Sequence, residues 1–423
     1  MGMDAAPFED RKIYIPPMTY TGSRAVAASL AAYGFDADVL EPSDADTLEL
    51  GSRFASGDEC YPLKITLGDI LKLFFLNGHD PERTAIFMPV SEGPCRFGQY
   101  VPLIQKILKD RGLGQVLFMS PNCVDGYGSF RGYFEEMKLT VWIGIVASDI
   151  LRKLLLRFRP YETVEGSTDN AYEVSLDQIC SVIKKFGKNK RACLREVKGA
   201  LREVKKRFDS LSIREERRPI IGVVGEIFCR LNRFSNMDLL RKVESFGGEA
   251  WQSDVAEWVY YTDRENERML VRSGKRFSLE MLSAKTKYFF QKRVEHELYS
   301  PFTDTFSGRE EPAEVSELLD VASPYLSKEG ALGEMILSVG KTHYYHGKGT
   351  AGVIDISPFS CMNGIVSESI YYRLSGDLGG FPIRIFYFDE IHRDITFELE
   401  IFMDMARGYE RARRNGRKIE VQA

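Results

Sequence analysis

Between residues 12 and 119 short apolar runs alternate with helical segments, and that alternation leaves few folds open. KIYIP (12–16), residues 36–40, AIFMPV (85–90) and QVLFM (115–119) read as strands. GSRAVAASLAAY (22–33) before Gly34, LKITLGDILKLFFLNG (63–78) ending in Gly78, and residues 98–111 read as helices. Strand, helix, strand with short connections predicts parallel βαβ units.

The pattern then changes. From about 127 to 215 only helical periodicity is left. Within 174–209, Ile179, Val182, Ile183, Phe186, Leu194, Val197, Leu201, Val204 and Phe208 recur every three or four residues. That predicts one or two amphipathic helices, broken near Gly187, whose many charges form a solvated face. A second α/β block opens at Arg218-Pro219. It has strands at 220–225 (IIGVVG), near 249–252, 351–356 and 382–388, and helices at 238–246 and 395–413. Between them, 255–345 reads as mostly helical with a polar loop at 301–313. The expected fold is α/β, with two lobes of doubly wound parallel sheet around a helical middle. The expected boundaries are 1–140, 141–217 and 218–423.

Charge and termini remove several function classes. Lys plus Arg number 57 and Asp plus Glu 61, a net charge of −4, so no basic face is expected for nucleic acid. LTVWIGIVASDILRKLLL (139–156) carries Asp149, Arg152 and Lys153 inside its apolar run, which argues for a buried soluble helix over a membrane span. The first residues lack the basic-then-apolar order of a secretory signal, and Ala6 stands where myristoylation wants Ser or Thr. The expectation is a cytoplasmic chain. No G-x-G-x-x-G opens either lobe, and GVVGEIF lacks the third glycine, which disfavours a dinucleotide site.

The seven cysteines contain no C-x-x-C pair, so neither a disulfide scaffold nor a zinc ribbon is expected. Cys60 (GDECYPLK), Cys95 (SEGPCRFGQY) and Cys361 (SPFSCMNG) share one setting, a Gly/Pro/Ser loop where a helix is about to begin. The last two follow strands, at the carboxyl edge where parallel sheets bind ligands. A helix start carries about half a positive charge and stabilises thiolates or anions. Three thiolates so placed would suit an anionic metal–sulfur centre; three unrelated loop thiols are the other reading. Cys180 and Cys193 fall on amphipathic helices and read as core residues. Cys123 and Cys229 follow strands and are further candidate ligands. Glu92 is a candidate acid/base or supporting group beside Cys95, or a surface carboxylate. Glu226, Ser235 and Asn236 read as a ligand-side loop with a helix cap. His343 and His346 could share a helix face but lack a carboxylate partner.

ECYPLK, GPCRFGQY and PFSCMNG resemble the cysteine motifs of the 2-hydroxyacyl-CoA dehydratase superfamily, and more closely its branch of dehydratase- and activase-related proteins. The resemblance extends to DILRKLLLRFRPYE (149–162), GVVGEIFCRLNRFSN (222–236) and FPIRIFYFDE…FELEIFMD. It implies two flavodoxin-like lobes and a 4Fe-4S or double-cubane 8Fe-9S cluster on Cys60, Cys95 and Cys361, with one iron open to substrate. It lowers Cys123 and Cys229 as ligands. Asn363 stands where the family has Pro. The implied function is ATP-dependent, low-potential electron transfer of the dehydratase or reductase kind. Its partners would be an ATP-hydrolysing activator with its own iron–sulfur cluster, an acyl-CoA or other small substrate, and a second subunit in a homo- or heterodimer. The alternative is a non-catalytic relay or scaffold that carries the cluster for a partner.

Overall fold

The structure is a computed structural model that describes residues 6–91, 93–122, 133–329 and 333–416. The first lobe runs β1 (Lys12–Ile15), α1 (Tyr20–Ala32), β2 (Asp36–Val39), α2 (Ala45–Phe54), α3 (Tyr61–Phe75), β3 (Thr84–Phe87), α4 (Tyr100–Asp110) and β4 (Leu117–Met119). Its four strands are all parallel, in the order β2-β1-β3-β4. A parallel sheet must be covered on both faces, and alternate residues divide accordingly. Tyr14, Ile86 and Phe118 pack against α3 and α4, whereas Ile13, Ala85 and Phe87 pack with Leu30 of α1.

Three long helices follow: α5 (Tyr133–Phe158), α6 (Ser167–Phe186) and α7 (Lys190–Asp209). The 174–209 segment is two helices, as the break near Gly187 predicts. A Cβ on Gly187 would meet the methyl of Ala32 at 2.6 Å, so the turn needs glycine for close packing.

The second lobe runs β5 (Ile220–Gly225), α8 (Ile227–Leu231), α9 (Leu239–Ser245), β6 (Glu249–Gln252), α10 (Val255–Arg272), α11 (Leu279–Tyr299), α12 (Val315–Ala322), α13 (Met335–Gly347), β7 (Gly352–Pro358), α14 (Met362–Asp377), β8 (Ile383–Phe388) and α15 (Thr396–Arg414). Its sheet is again all parallel, in the order β6-β5-β7-β8, so the two lobes repeat one strand order. The chain is therefore α/β with two doubly wound, flavodoxin-like sheets. No described helix is long and apolar enough to cross a membrane.

The sequence reading lacks α8, which falls in its ligand-side loop, and also α2. Its start is polar, and the signal is a cap: Asp44 accepts from the Thr47 N–H at 2.9 Å, and the Thr47 hydroxyl accepts from the Asp44 N–H.

α3 joins the lobes. Leu63 and Leu67 belong to the first lobe's core, but Tyr61 and Ile65 belong to the second lobe's cluster with Ile354, Ile356 and Phe386. Tyr61 shares a hydrogen bond with His392 at 2.8 Å, and Lys64 pairs with Glu390 at 2.7 Å. Behind it, Asn232 donates to Ser43 Oγ, and Ser43 and Thr47 both donate to the buried Asp69 carboxylate at 2.8 Å. Burial pushes Asp69 up to about 7. The folded state therefore holds a proton that the unfolded chain releases near pH 4. Stability from this group is highest below pH 4 and falls as pH rises toward 7. Asp69→Asn should flatten that slope and raise the urea midpoint at pH 8 relative to pH 5; an unchanged midpoint difference would remove Asp69 from the account.

The charges in α5 that interrupt its apolar run are buried inside the protein. Asp149 accepts the N–H groups of Val255 and Ala256 at the start of α10, and pairs with Arg152 at 2.7 Å. Lys153 pairs with Asp254 and Glu311, both at 2.8 Å. Lys341 of α13, fully buried, pairs with Glu257 and Glu311. Arg159 makes a two-pronged bond to Glu244, and Arg157 pairs with Glu249. The stretch 149–162 thus fastens the helical middle to the second lobe.

Candidate functional site

Cys60, Cys95 and Cys361 occupy one local structure three times. Each is the residue before a helical turn: Cys60 before α3, Cys95 before a 3₁₀ turn (Arg96–Gln99) that runs into α4, and Cys361 before α14. Their φ/ψ pairs are −68/150, −70/133 and −69/130. None of the three side chains caps its helix with a hydrogen bond, but backbone N–H groups of the turn each one opens lie near enough to favour its thiolate: Leu63 for Cys60, Phe97 for Cys95, Gly364 and Asn363 for Cys361.

The loops that carry them are fixed from several sides. Glu59 accepts from the N–H groups of Ser56 and Gly57, and Lys64 donates to the Gly57 carbonyl. Arg96 donates to the Asp58 carbonyl at 2.8 Å, which ties the Cys95 turn to the Cys60 loop. The Tyr100 hydroxyl lies on Cys60 Sγ. Before Cys361, Ser360 adopts φ +62, a left-handed conformation that costs a non-glycine residue energy and tends to occur at functional sites. Gly364 lets α14 sit tight on the sheet; a Cβ there would meet Ser357 at 2.8 Å.

Both lobes contribute to one neighbourhood. Cys95 feels the charge of Cys60, and all three thiols feel the Glu226 carboxylate. Glu226 follows β5 at the switch point of the second sheet, where its N–H donates to the Ile356 carbonyl of β7. Its side chain accepts from the Phe228 and Cys229 N–H groups and so caps α8, a helix inside the stretch that the sequence reads as loop; the cap read at Ser235 and Asn236 is not the N-cap of α9, which is Asp238. Glu334, the residue before α13, accepts from the Ile227 N–H at 2.8 Å. Burial pushes both carboxyls up, and Glu226 adds to the rise of Glu334. Both therefore stand closer to neutral than exposed carboxylates do. Burial, then Glu226, pushes the Cys361 thiol up to about 12, and burial also raises Cys60. The metal-free site holds protonated thiols, and metal loading there would release protons.

Arg230 is buried, donates to the Ser253 carbonyl at 2.7 Å and leaves Nε unpartnered. A cavity of about 10 Å³ beside it, lined by Gly225, Ser253, Glu257 and Glu334 among others, has room for roughly one water. Asn363 donates to Glu334 and leaves its buried Oδ1 unpartnered. Tyr100, Arg230 and Glu334 are the residues of this neighbourhood that the sequence reading did not single out. Tyr100 lies inside the GPCRFGQY motif and Arg230 inside GVVGEIFCRLNRFSN; Glu334 carries no local signal.

The remaining sequence candidates separate. Cys180 and Cys193 are buried in the helical core, as expected. Cys229 is fully buried in the second lobe's apolar cluster, near Cys60 and Cys361 but packed as a hydrophobe. Ser235 and Asn236 brace their own loop, Asn236 donating to the Cys229 carbonyl. His346 shares a hydrogen bond with Tyr409 and packs on Phe381, a structural role. Glu92 and Cys123 lie outside the described residues.

Among the described residues no three His, Cys, Asp or Glu side chains stand together closely enough to hold a single metal ion. A cubane is a different geometric demand, because each thiolate binds a different iron. The donor set fits that demand chemically: three cysteines, each at the opening of a helical turn, beside two carboxyls that burial drives toward neutrality. No family model matches this chain, and no curated protein matches it in sequence.

Proposed function

We propose that the chain is an iron–sulfur protein that holds a 4Fe-4S cluster, or half of a double cubane, on Cys60, Cys95 and Cys361. The observation that carries this reading is the threefold repeat of one helix-opening cysteine geometry, drawn from both lobes, with all three thiols within reach of the Glu226 charge. When bound, such a cluster supplies low-potential electrons and, at an iron without a protein ligand, a Lewis-acid position. The chain's own residues do the rest. Peptide N–H groups at the helix starts stabilise charge on sulfur. Glu334 and Glu226 are buried carboxyls in the same neighbourhood, each shifted by burial toward its neutral form. Tyr100 shares a hydrogen bond with Cys60 and would donate to it once the sulfur is a thiolate. The family resemblance adds an ATP-hydrolysing activator as the electron source, an acyl-CoA or other small molecule as substrate, and dehydratase- or reductase-like chemistry in the cytoplasm.

The test is purification without oxygen, iron and sulfide counting, and an EPR spectrum of the reduced protein. About four irons per chain are expected for a single cubane. A colourless, iron-free chain under those conditions overturns the proposal. A relay role is the second reading, favoured by a cavity beside Glu334 with room for only about one water. Added acyl-CoA should alter the EPR line shape of an enzyme and leave that of a relay unchanged.

A further inference from the structure

The hairpin of α10 and α11 ends in a stretch that the body of the protein leaves bare. Arg268 donates to the Lys328 carbonyl and Tyr288 to Glu314, which fastens the hairpin. Beyond these anchors Arg272 makes an exposed pair with Glu329. Between Met269 and Lys287 only Met281 is buried, and residues 271–277 are all exposed. At 1.5 Å per residue, Leu279 stands about 14 Å along the helix from Tyr288. Ser278 caps this end by accepting from the Met281 N–H, so α11 is already formed where nothing covers it.

α11 has two apolar faces. Met281, Tyr288, Val294 and Leu298 are buried on one. Leu279, Leu282, Phe289 and Phe290 follow the helical repeat on the other, and each is at least half exposed, Leu279 at 82%. Phe277, just before the helix, is 96% exposed. A contiguous apolar surface of this kind marks an interaction site. The same stretch is basic. Residues 272–293 hold seven Lys or Arg against one acidic residue, Glu280, in a chain whose net charge is −4. Glu280 is already paired with Lys275, whereas Arg276 and Lys285 have no carboxylate partner among the described residues.

We infer that this end of the hairpin docks on an anionic lipid surface, with Phe277 and the outward stripe of α11 in the boundary between headgroups and acyl chains and with Arg276 and Lys285 on lipid phosphates. Two features favour lipid over a protein partner. Lysine is depleted in protein interfaces, whereas Lys and Arg beside Phe and Leu are the pattern of helices that lie in a membrane interface. The stripe also carries no Trp or Tyr, the side chains that anchor most protein interfaces. Charge sets the orientation. A chain of net negative charge is repelled by an anionic surface except where it is locally basic, and the hairpin end is such a place. Insertion of this kind is shallow and needs no spanning helix. The inference does not depend on the cluster.

Cosedimentation of the full chain with lipid vesicles tests it. Vesicles of phosphatidylcholine with about 30% phosphatidylglycerol should carry the wild type down with an affinity at least about tenfold above that for pure phosphatidylcholine, and the difference should shrink in about 0.5 M salt. Phe277→Ser/Leu282→Ser changes side chains that lie in solvent in the free chain, so its melting temperature should stay that of the wild type while its vesicle affinity falls at least about tenfold. Arg276→Gln/Lys285→Gln should lose most of the preference for phosphatidylglycerol. Tyr372→Ser, at an exposed aromatic of α14, should bind as the wild type does. A wild type that stays in the supernatant with both vesicles overturns the inference and leaves the stripe to a protein partner. Binding that Phe277→Ser/Leu282→Ser leaves intact, or that Tyr372→Ser weakens equally, overturns it too.

Discussion

Cys361→Ala, purified without oxygen, is expected to lose the cluster, with iron content falling at least about tenfold, because removing even supporting groups of metal sites costs 10- to 100-fold in affinity. Cys60→Ala and Cys95→Ala should do the same, since the three residues share one backbone geometry and no spare thiol opens a helix nearby. Cys180→Ala and Cys193→Ala serve as controls in the helical core and should keep their iron. Cys229→Ala is the discriminating variant. Its sulfur is close enough to feel Cys60 and Cys361 but is packed among aliphatic side chains. Full iron content in Cys229→Ala with lowered stability fits a packing role; loss of iron there with retention in Cys95→Ala would replace the proposed ligand set.

Glu311→Gln should be among the most destabilising single changes in the chain. Despite burial, Lys153 and Lys341 hold the Glu311 carboxyl at about 2. Removing its charge leaves two buried ammonium groups sharing fewer acceptors, a situation that costs about 3–5 kcal/mol. For a chain of this size that is roughly a 5 °C fall in melting temperature. Lys341→Met removes the partner of Glu257 and should act in the same direction. A melting temperature unchanged by both substitutions would show that the network is not an energetic unit.

Local signals made most of the fold legible. Six of the eight described strands are short apolar runs, β2 (DADV) and β6 (EAWQ) being the exceptions, and Gly187 marked the division between α6 and α7. α2 was missed because its opening is acidic and its cap uses Thr47 in place of the usual Glu or Gln. Charges at 149–153 could be read only as unsuited to lipid, since Asp254 and Glu311, which neutralise Lys153, lie about a hundred or more positions away. The helix-start placement of the three cysteines was visible from flanking Gly, Pro and Ser. That Glu226, Glu334 and Arg230 join them was not, because only folding brings those positions together. The left-handed Ser360 carries no sequence signature at all.

The repeated strand order has a consequence for symmetry. In each lobe one helix precedes the third strand and another follows it: α3 and α4 around β3, α13 and α14 around β7. A duplicated half-design would supply four equivalent corners. The first lobe fills its two with Cys60 and Cys95, and the second fills the later one with Cys361. Glu334 stands at the remaining corner, where exact repetition of the first lobe would have put a fourth cysteine. Three soft donors and one hard carboxyl make the corners chemically unequal, so the repetition of the strand order does not extend to the chemistry it frames.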